Sequence, residues 1–254
     1  MAIANRLAAS DPVGFYDDAY TQDPEGAACG ARWRALGAQG KADHIIALCE
    51  RAGVRPASTL EVGCGDGAVL SELHARRFGG RLQGVEITEA AVRIAGEREE
   101  IERVELYDGS TLTEADDSFE LGVVSHVLEH VGDPPALLAE IARVCNAVVV
   151  EVPLEANVSA RRAGKREHAE EVGHLQRLDR AGARAIVARA GLRIEAELED
   201  PLPLAVHRFF AASPQARAIG TAKWAVRSAS HRVAPALARR LFTVHYACLC
   251  RRAA

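Results

Sequence analysis

Short runs of β-forming residues alternate with segments of helical apolar spacing from residue 58 to residue 200. This alternation limits the fold, because two parallel strands need a long crossover between them and a helix is the usual crossover. The chain is therefore expected to adopt an α/β fold, with a mostly parallel sheet and helices on both faces. Seven strands are predicted, over residues 58–62, 82–87, 104–107, 119–124, 147–152, 192–198 and 242–250.

Residues with known capping roles mark the helices between these strands. Thr88 and Asp179 each precede a helical pattern, and their side-chain oxygens can accept from a free amide of the first turn. Pro134 suits the first turn of another helix, where its missing N–H leaves no hydrogen bond unmade. Gly191 ends the helix that Asp179 begins. These signals predict a helix after the second, fourth and fifth strands. A further covering helix is predicted over residues 40–51, upstream of the first strand.

The segment from Glu61 to Gly67 reads Glu-Val-Gly-Cys-Gly-Asp-Gly and joins the first strand to its helix. Glycines here permit a positive φ and allow backbone amides to approach a ligand closely at a helix N-terminus. Glu86 follows Gly67 by 19 residues, near the end of the second strand. A carboxylate at that place can accept hydrogen bonds from both hydroxyls of a ribose. Together these features predict a site for a nucleoside-containing cofactor.

The glycine spacing and the nearby charges favour one class of nucleoside cofactor. The loop has the spacing G-x-G-x-G rather than the G-x-G-x-x-G of a dinucleotide site. Glu61 and Asp66 flank it, and two carboxylates would repel a pyrophosphate but attract a cation. S-adenosylmethionine carries a sulfonium and an α-ammonium and has no phosphate. The residues therefore favour S-adenosylmethionine over NAD, with an NAD-linked oxidoreductase as the alternative.

The motifs around this loop resemble those of class I S-adenosylmethionine-dependent methyltransferases, in the small-molecule branch that includes the ubiquinone-type O-methyltransferases. The glycine loop is similar to their first motif, and residues 85–88 resemble their acidic second motif. Residues 108–110 fall where those enzymes hold the adenine amine, and residues 119–131 resemble their fourth-strand region. The resemblance covers roughly residues 40–200 and implies a Rossmann-like fold.

The resemblance also implies a role for each matching residue. The glycines of the loop would line the methionine and ribose part of the cofactor, with Glu61 near its ammonium group. Glu86 would hold the ribose, and residues 108–109 would hold the adenine. Aromatic and basic residues of the N-terminal segment would close over the cofactor or meet its carboxylate. The residues expected at the cofactor are Tyr16, Arg34, Glu61, Gly63, Gly65, Glu86, Ile87, Asp108, Gly109, Ser125 and His126.

Two histidines are predicted to act in catalysis. Methyl transfer is an in-line displacement at the sulfonium methyl group, so positioning is the main task of the enzyme. A hydroxyl acceptor must also lose its proton, and a neutral imidazole can accept that proton near pH 7. His130 and His174 follow strands at the edge of the sheet where ligands bind, so we predict that they are the catalytic bases.

The sequence His126-x-x-Glu129-His130 also matches an inverted zinc-protease motif. That motif requires a helix, whereas this segment follows a predicted parallel strand and has no clear helix around it before Pro134. Some methyltransferases bind a divalent ion through a related Glu/His cluster, but His126 replaces the leading glutamate of that pattern here. We therefore assign no metal ligand from the sequence, and metal binding at this cluster stays open as an alternative.

Charge is distributed unevenly along the chain. Residues 201–254 contain nine Lys and Arg residues and no Asp or Glu, although the whole chain has a net charge of −4. Residues 1–57 are expected to be a cover segment and residues 58–200 the Rossmann-like cofactor-binding core. Residues 201–241 are expected to form a helical lid that docks on the acidic body, before the last strand in residues 242–254. An anionic ligand or a membrane surface is the alternative partner for the basic tail, whereas its sparse aromatic residues argue against nucleic acid.

The remaining composition favours a cytoplasmic protein. Six scattered cysteines include no C-x-x-C pair and are expected to be reduced thiols. No apolar run approaches the roughly 18–20 residues that a membrane span needs. The N-terminus lacks the apolar middle of a secretory signal.

These observations together predict the reaction. We expect the chain to move a methyl group from S-adenosylmethionine to a small-molecule acceptor, at a hydroxyl oxygen, and to release S-adenosylhomocysteine. Two alternatives are transfer to the nitrogen of a small amine and binding of the cofactor without catalysis.

Overall fold

The computed structural model describes residues 12–17, 20 and 24–253 of the chain. Within this part the strands are β1 (Ser58–Val62), β2 (Arg81–Glu86), β3 (Arg103–Leu106), β4 (Phe119–Ser125), β5 (Cys145–Pro153), β6 (Leu192–Asp200) and β7 (His245–Arg252). They form one sheet in the order β3-β2-β1-β4-β5-β7-β6. Neighbouring strands from β3 to β5 are parallel, and β7 is antiparallel to both of its neighbours. The predicted α/β, Rossmann-like and mostly parallel sheet is confirmed.

Helices connect these strands and cover both faces of the sheet. They are α1 (Pro12–Asp17), α2 (Pro24–Arg51), α3 (Ala68–Ala75), α4 (Glu89–Gly96), α5 (Pro134–Val144), α6 (Ala163–Glu171), α7 (Arg180–Arg189), α8 (Leu204–Arg208), α9 (Pro214–Val233) and α10 (Pro235–Leu241). Part of the predicted cover segment, namely residues 1–11, 18–19 and 21–23, lies outside the described residues.

The predicted helix caps are present. The Thr88 hydroxyl accepts a hydrogen bond from the amide three residues on, at 3.4 Å, and begins α4. Asp179 does the same at 2.7 Å and begins α7. Asp133 caps α5 directly before Pro134, and Gly191 follows α7 with a φ of +74°. The side chains of Thr88, Asp133 and Asp179 each satisfy an amide that the first helical turn leaves without a backbone partner.

The predicted boundaries of the last strand are wrong. The strand covers residues 245–252 rather than 242–250. The amide of Phe242 still bonds to the carbonyl of Ala238, so this residue caps α10 instead of extending a strand. Pairing with β5 therefore begins only at His245, which lies opposite Pro153. The bounds of the other strands agree with the prediction to within two residues.

The covering helix is also longer than predicted, because α2 begins at Pro24 rather than at Gly40. Residues 24–40 contain four glycines, each of which lowers helix stability by about 1 kcal/mol relative to alanine. Local propensity therefore gave little sign of a helix there. Contacts with other parts of the chain stabilise it, since Trp33 packs edge to face against Phe209, Arg34 bonds to Asp66 and Ala38 is buried.

Strand β5 shows how the sheet divides the core in two. Val148 and Val150 pack on one face with α5 residues such as Ile141. Ala147 and Val149 point to the other face and join the cluster that α2 and α3 contribute to. Consecutive strand residues point to opposite faces, so a strand covered on both sides is apolar at nearly every position.

Residues 201–241 form α8, α9 and α10 between β6 and β7. Helix α9 crosses α8 at Gly220, where an added Cβ would lie 2.4 Å from the carbonyl oxygen of His207. Arg239 of α10 donates to the carboxylate of Glu199 at the end of β6, at 2.8 Å. This pairing of the basic insertion with an acidic strand agrees with docking on the body of the protein. Its role as a lid stays a prediction.

All six cysteines are free, and five of them are buried. Cys248 and Cys250 in β7 are fully buried and pack as small apolar side chains. Among the described residues, no helix has the length and apolar character needed to cross a membrane.

Truncating a buried side chain of the last strand should destabilise the fold more than truncating an exposed one. Leu249 in β7 is 0% exposed, whereas Leu237 in α10 is 54% exposed. We expect Leu249→Ala to lower the free energy of unfolding by about 2–5 kcal/mol, because lost burial and a new cavity both contribute. Leu237→Ala should lower it by less than about 0.5 kcal/mol. Urea unfolding measures both, and equal losses would contradict the core described above.

Candidate functional site

Gly63 and Gly65 shape the loop that follows β1. Their φ angles are +73° and +55°, which glycine adopts readily and other residues rarely adopt. An added Cβ would lie 2.5 Å from the Val127 side chain at Gly63 and 2.8 Å from the Tyr20 hydroxyl at Gly65. The Gly63 amide donates to the carbonyl of Val85 at 2.9 Å, which holds the loop against β2. Glycine at these two positions therefore lets Val127 and Tyr20 pack directly against the loop backbone.

Glu86 ends β2 beside this loop and is 8% exposed. One carboxylate oxygen accepts from the amide of Gly65 at 2.9 Å, and the other accepts from the amide of Ile87 at 2.6 Å. Burial raises the pKa of Glu86, and these amide hydrogen bonds partly oppose that effect. Each oxygen keeps a further acceptor position, so the carboxylate can still bind a pair of hydroxyls.

A cavity of about 480 Å³ lies in front of Glu86. One end contains residues expected at an adenosine group, and the other end contains His130 and Tyr16. The lining residues are Val13, Tyr16, Tyr20, Gly63, Gly65, Glu86, Ile87, Tyr107, Asp108, Gly109, His126, Val127, His130, Val131, Gly132 and Leu175. Eight of the eleven residues predicted at the cofactor are among them.

Asp108 stabilises the turn that follows β3. Its Oδ1 accepts from the amides of Ser110 and Thr111 at 2.8 and 2.7 Å and so closes a turn. These hydrogen bonds lower the pKa of Asp108 and keep it ionised. The turn presents Gly109, with a φ of +82°, to the cavity.

A second cavity, of about 330 Å³, lies between α2, the glycine loop and the end of β4. Tyr20, Gly63, Gly65 and His126 line both cavities, so the two adjoin. The second cavity contains the remaining predicted cofactor residues: Arg34, Glu61 and Ser125. The structure therefore brings all eleven together around one pair of connected spaces.

Buried acidic groups border the second cavity. Glu61 is 2% exposed, and its Oε2 has no hydrogen-bond partner among the described residues. Burial raises the pKa of Glu61 to about 8. Asp66 instead accepts a hydrogen bond from Arg34 at 2.7 Å, and the Arg34 guanidinium lies 4.8 Å from the centre of the Tyr20 ring. Glu61 thus keeps one buried oxygen without a hydrogen-bond partner among the described residues, although the charge of Lys41 partly opposes the effect of burial on its pKa.

Ser125 and His126 end β4 at the junction of the two cavities. The Ser125 hydroxyl is buried and has no partner among the residues described. His126 has a φ of +59°, in a region that non-glycine residues seldom adopt. Its Nδ1 lies 3.5 Å from Glu129 and its Nε2 lies 3.5 Å from Glu151. Burial lowers the pKa of His126 well below its usual range, so the ring is neutral.

Glu129 lies in the short 3₁₀ turn after β4 and is 1% exposed. Neither of its carboxylate oxygens has a hydrogen-bond partner in the described chain. Burial raises the pKa of Glu129 to about 7. Its backbone oxygen accepts from the amides of Leu175 and Gln176 at 2.8 and 3.1 Å, which ties the loop after α6 to this turn.

Glu151 in β5 is surrounded by imidazoles. His44 and His245 contact its two oxygens through Nδ1, each at 3.0 Å. Burial alone would raise the pKa of Glu151, but the imidazoles hold it well below its usual range. His44 also lies 3.3 Å from Asp200. Burial disfavours the charged form of His44, yet hydrogen bonds to the two carboxylates raise its pKa to about 9.

The sequence predictions omit Glu151, His44 and His245. Glu151 has a sequence signal, because it is the only charged residue in the apolar strand 147–152, and a buried carboxylate needs a partner. The two histidines have none, since they lie 107 and 94 residues away from Glu151 in the chain.

His130 faces the larger cavity and contacts Tyr16. The Tyr16 hydroxyl lies 2.8 Å from Nδ1 of His130, and the carbonyl oxygen of Gly173 lies 3.3 Å from the same nitrogen. Burial lowers the pKa of His130 to about 4, so its ring is neutral at pH 7. Tyr16 thus borders the predicted cofactor space and also orients the predicted base.

His174 lies behind His130, with the ring centres 4.8 Å apart. Its Nδ1 contacts the carboxylate of Glu155 at 2.8 Å. Burial opposes charge on His174, but Glu155 raises its pKa overall, and His174 in turn lowers the pKa of Glu155. His174 does not line either of the two cavities described above.

Comparison with known proteins agrees with this geometry. A family model described as a methyltransferase domain matches residues 34–197. A ubiquinone biosynthesis O-methyltransferase from Hahella chejuensis is 36% identical over 103 residues, which is 37% of this chain and 41% of that protein. The match therefore spans less than half of the length of that curated relative.

Solved structures share the fold at low sequence identity. Geranyl diphosphate C-methyltransferase from Streptomyces coelicolor A3(2), crystallised with Mg²⁺, geranyl diphosphate and S-adenosyl-L-homocysteine, is 14% identical, with a TM-score of 0.57 over 77% of this chain and 72% of that chain. A phosphoethanolamine N-methyltransferase from Haemonchus contortus is 12% identical, with a TM-score of 0.56 over 82% of this chain and 52% of that chain. Likeness at this level concerns the fold alone.

Replacing His174 by asparagine should destabilise the protein more at pH 6 than at pH 9. The folded-state pKa of His174 is raised, so its stabilisation is fully present below about pH 6.5 and is lost as the pH rises through the folded-state value. We expect a loss of about 1–3 kcal/mol in unfolding free energy at pH 6, where a charged hydrogen bond is removed. The loss at pH 9 should be clearly smaller.

Urea unfolding at the two pH values measures this difference. His74→Asn is the matched control, because His74 is an exposed histidine on α3. The same pH dependence in both variants would show that the contact with Glu155 does not stabilise the fold.

Proposed function

Since this chain belongs to the class I S-adenosylmethionine-dependent methyltransferases, we propose that it transfers the methyl group of S-adenosylmethionine to a hydroxyl oxygen of a small molecule. The observation that carries this proposal is a glycine cradle, formed by residues 63–67, beside the buried Glu61, whose Oε2 has no hydrogen-bond partner among the described residues. Such a cradle suits a cationic nucleoside and disfavours a pyrophosphate.

The residues present fit S-adenosylmethionine. Glu61 Oε2 and Ser125 Oγ are buried atoms without a partner among the described residues, and an α-ammonium would supply the hydrogen bonds they lack. Gly65 lines both cavities, and an added Cβ there would collide with the Tyr20 hydroxyl that borders them. Two unsatisfied acceptors beside this glycine loop support a ligand with donors and positive charge at this end.

The larger cavity suits the adenosine half of the same molecule. Glu86 offers two buried carboxylate oxygens to a ribose. Ile87 and Gly109 border the space in which an adenine ring would lie, and the free oxygen of Asp108 would meet its amine. This arrangement supports the roles that the sequence analysis expects for all four residues.

S-adenosylmethionine, when bound, supplies an electrophilic methyl group on a sulfonium. The contribution of the chain is to align an acceptor with that group and to take up the acceptor proton. His130 is suited to the second task because it is neutral and faces the cavity. With a proton on Nδ1, His130 donates to the Gly173 carbonyl, and Nε2 is then free to act as the base.

His174 and Glu155 support His130 from behind. The rings of the two histidines meet edge to face, and Glu155 fixes the orientation of His174 through Nδ1. The Glu155 carboxylate also compensates positive charge that develops on the histidine pair during proton transfer. We therefore propose His130 as the group that contacts the acceptor and takes up its proton, and His174, held by Glu155, as the residue that positions the His130 ring.

Gly65→Ala should weaken binding of S-adenosylmethionine by about tenfold or more, equivalent to about 1.4 kcal/mol, because the added Cβ obstructs the cradle. Gly53→Ala is the matched control: Gly53 also has a positive φ, of +66°, but has nothing within 4 Å of an added Cβ. Both variants should lose some stability through backbone strain. Calorimetric titration should detect weaker binding only in Gly65→Ala, and equal affinity in the two variants would contradict the proposed cradle.

His130→Ala should lower kcat by about 10²–10⁴-fold, the range for loss of a general base, without changing cofactor affinity. The assay is release of S-adenosylhomocysteine in the presence of small phenols, alcohols or amines. Methylation of hydroxyl compounds that depends on His130 supports the proposal. Methylation of amines alone, or cofactor binding without transfer to any class, would overturn the proposed oxygen acceptor.

A further inference from the structure

Three side chains from distant parts of the sequence meet at one corner of the smaller cavity. His126 follows β4, Glu151 lies near the end of β5, and His245 begins β7. Each offers one ligand atom, and these atoms all lie within 4.8 Å of one another. We propose that His126, Glu151 and His245 bind a divalent transition-metal ion.

Two of the three separations between the ligand atoms suit a single ion, and the third is within 4.8 Å. Nε2 of His126 and Nδ1 of His245 lie 3.5 and 3.0 Å from the same oxygen of Glu151. Ligands bound to one metal at about 2.1 Å lie about 3.0–3.5 Å from each other in tetrahedral or octahedral geometry. Two imidazoles and one carboxylate are ligands typical of Zn²⁺, Mn²⁺, Fe²⁺ or Co²⁺.

A hydrogen-bond network alone does not account for this cluster. His245 can donate to Glu151 through Nδ1, and His44 contacts the opposite oxygen. Nε2 of His126, however, is buried and makes no hydrogen bond with any described residue. A metal ion at this point would satisfy that nitrogen together with the other two ligand atoms. The contact of His44 with Glu151 and Asp200 would then orient the carboxylate, as is usual around metal ligands.

Buried carboxylates beside His126 also favour a cation. The cavity lining as a whole is balanced in charge, because Glu61, Asp66 and Asp200 are matched by Arg34, Lys41 and His44. Two further buried carboxylates, Glu129 and Glu151, lie directly beside His126. Buried carboxylates are stable only when they are paired or bind a metal.

The site is open on one side, because His126 and His245 line the cavity while Glu151 lies behind them. Free coordination positions would face the space shared with the cofactor, where an acceptor oxygen could bind. Only the binding of an acceptor oxygen to the metal rests on the proposed function. No spacing in the sequence predicts the site, since its ligands lie on three separate strands or strand ends.

Titration of chelator-treated, cofactor-free protein with Co²⁺ alone tests the proposal, because bound cobalt gives a visible absorption. We expect one Co²⁺ per chain. Glu151→Gln and His245→Ala should each weaken binding by about 100-fold or more, beyond the 10- to 100-fold typical for residues that only orient a ligand. Co²⁺ should also raise the melting temperature of the unaltered protein and not that of His245→Ala.

The variant His174→Ala distinguishes this site from a neighbouring cluster whose ligand atoms also lie within 4.8 Å of one another. That cluster consists of Glu129, His130 and His174. The variant should bind Co²⁺ like the unaltered protein. Loss of binding in His174→Ala with retention in His245→Ala would move the metal to the other group and overturn the proposal. Absence of Co²⁺ binding in the unaltered protein would overturn it as well. A parallel titration with S-adenosylmethionine measures cofactor binding separately, so that failure of the metal site is distinguished from failure of the proposed cofactor site.

Discussion

Buried glutamates at the carboxyl edge of the sheet are the constraint on which the rest of the site depends. Glu61 belongs to β1, Glu86 to β2 and Glu151 to β5, and Glu129 follows β4. All four are at most 8% exposed. A carboxylate in such surroundings must find hydrogen bonds or a cation, or it becomes protonated. This edge of the sheet therefore requires hydrogen-bond donors or positive charge, either from neighbouring residues or from a ligand.

Two of these carboxylates have hydrogen-bond partners within the chain, and two keep oxygens without one. Backbone amides of Gly65 and Ile87 donate hydrogen bonds to Glu86, and the imidazoles of His44 and His245 contact Glu151. Glu61 and Glu129 keep oxygens without partners among the described residues. Glu61 lines the smaller cavity beside the glycine cradle, and this coincidence connects the fold to a cationic cofactor. The proposed metal site rests on a different observation, namely that the buried Nε2 of His126 has no hydrogen-bond partner among the described residues.

Local signals were enough to predict that the glycine loop and Glu86 lie together at one edge of the sheet. The Glu61–Gly67 loop and Glu86 depend on spacings of at most 25 residues, and strand and helix patterns place them at one edge. The Glu151 cluster depends instead on the antiparallel pairing of β7 with β5, which places His245 opposite Pro153. No local pattern encodes that register. The first half of α2 also escaped prediction, since its glycines oppose a helix that tertiary packing stabilises.

The central claim is that this edge selects a cationic nucleoside. Calorimetric titration of the intact protein with S-adenosylmethionine, 5′-methylthioadenosine and NAD⁺ tests it most directly, because the first two share an adenosine and differ in positive charge, whereas NAD⁺ carries a pyrophosphate. The account predicts saturable binding of S-adenosylmethionine, binding of 5′-methylthioadenosine weaker by about tenfold or more, equivalent to about 1.4 kcal/mol, and no measurable binding of NAD⁺. Equal affinity for the charged and neutral adenosines, or binding of NAD⁺, would contradict it.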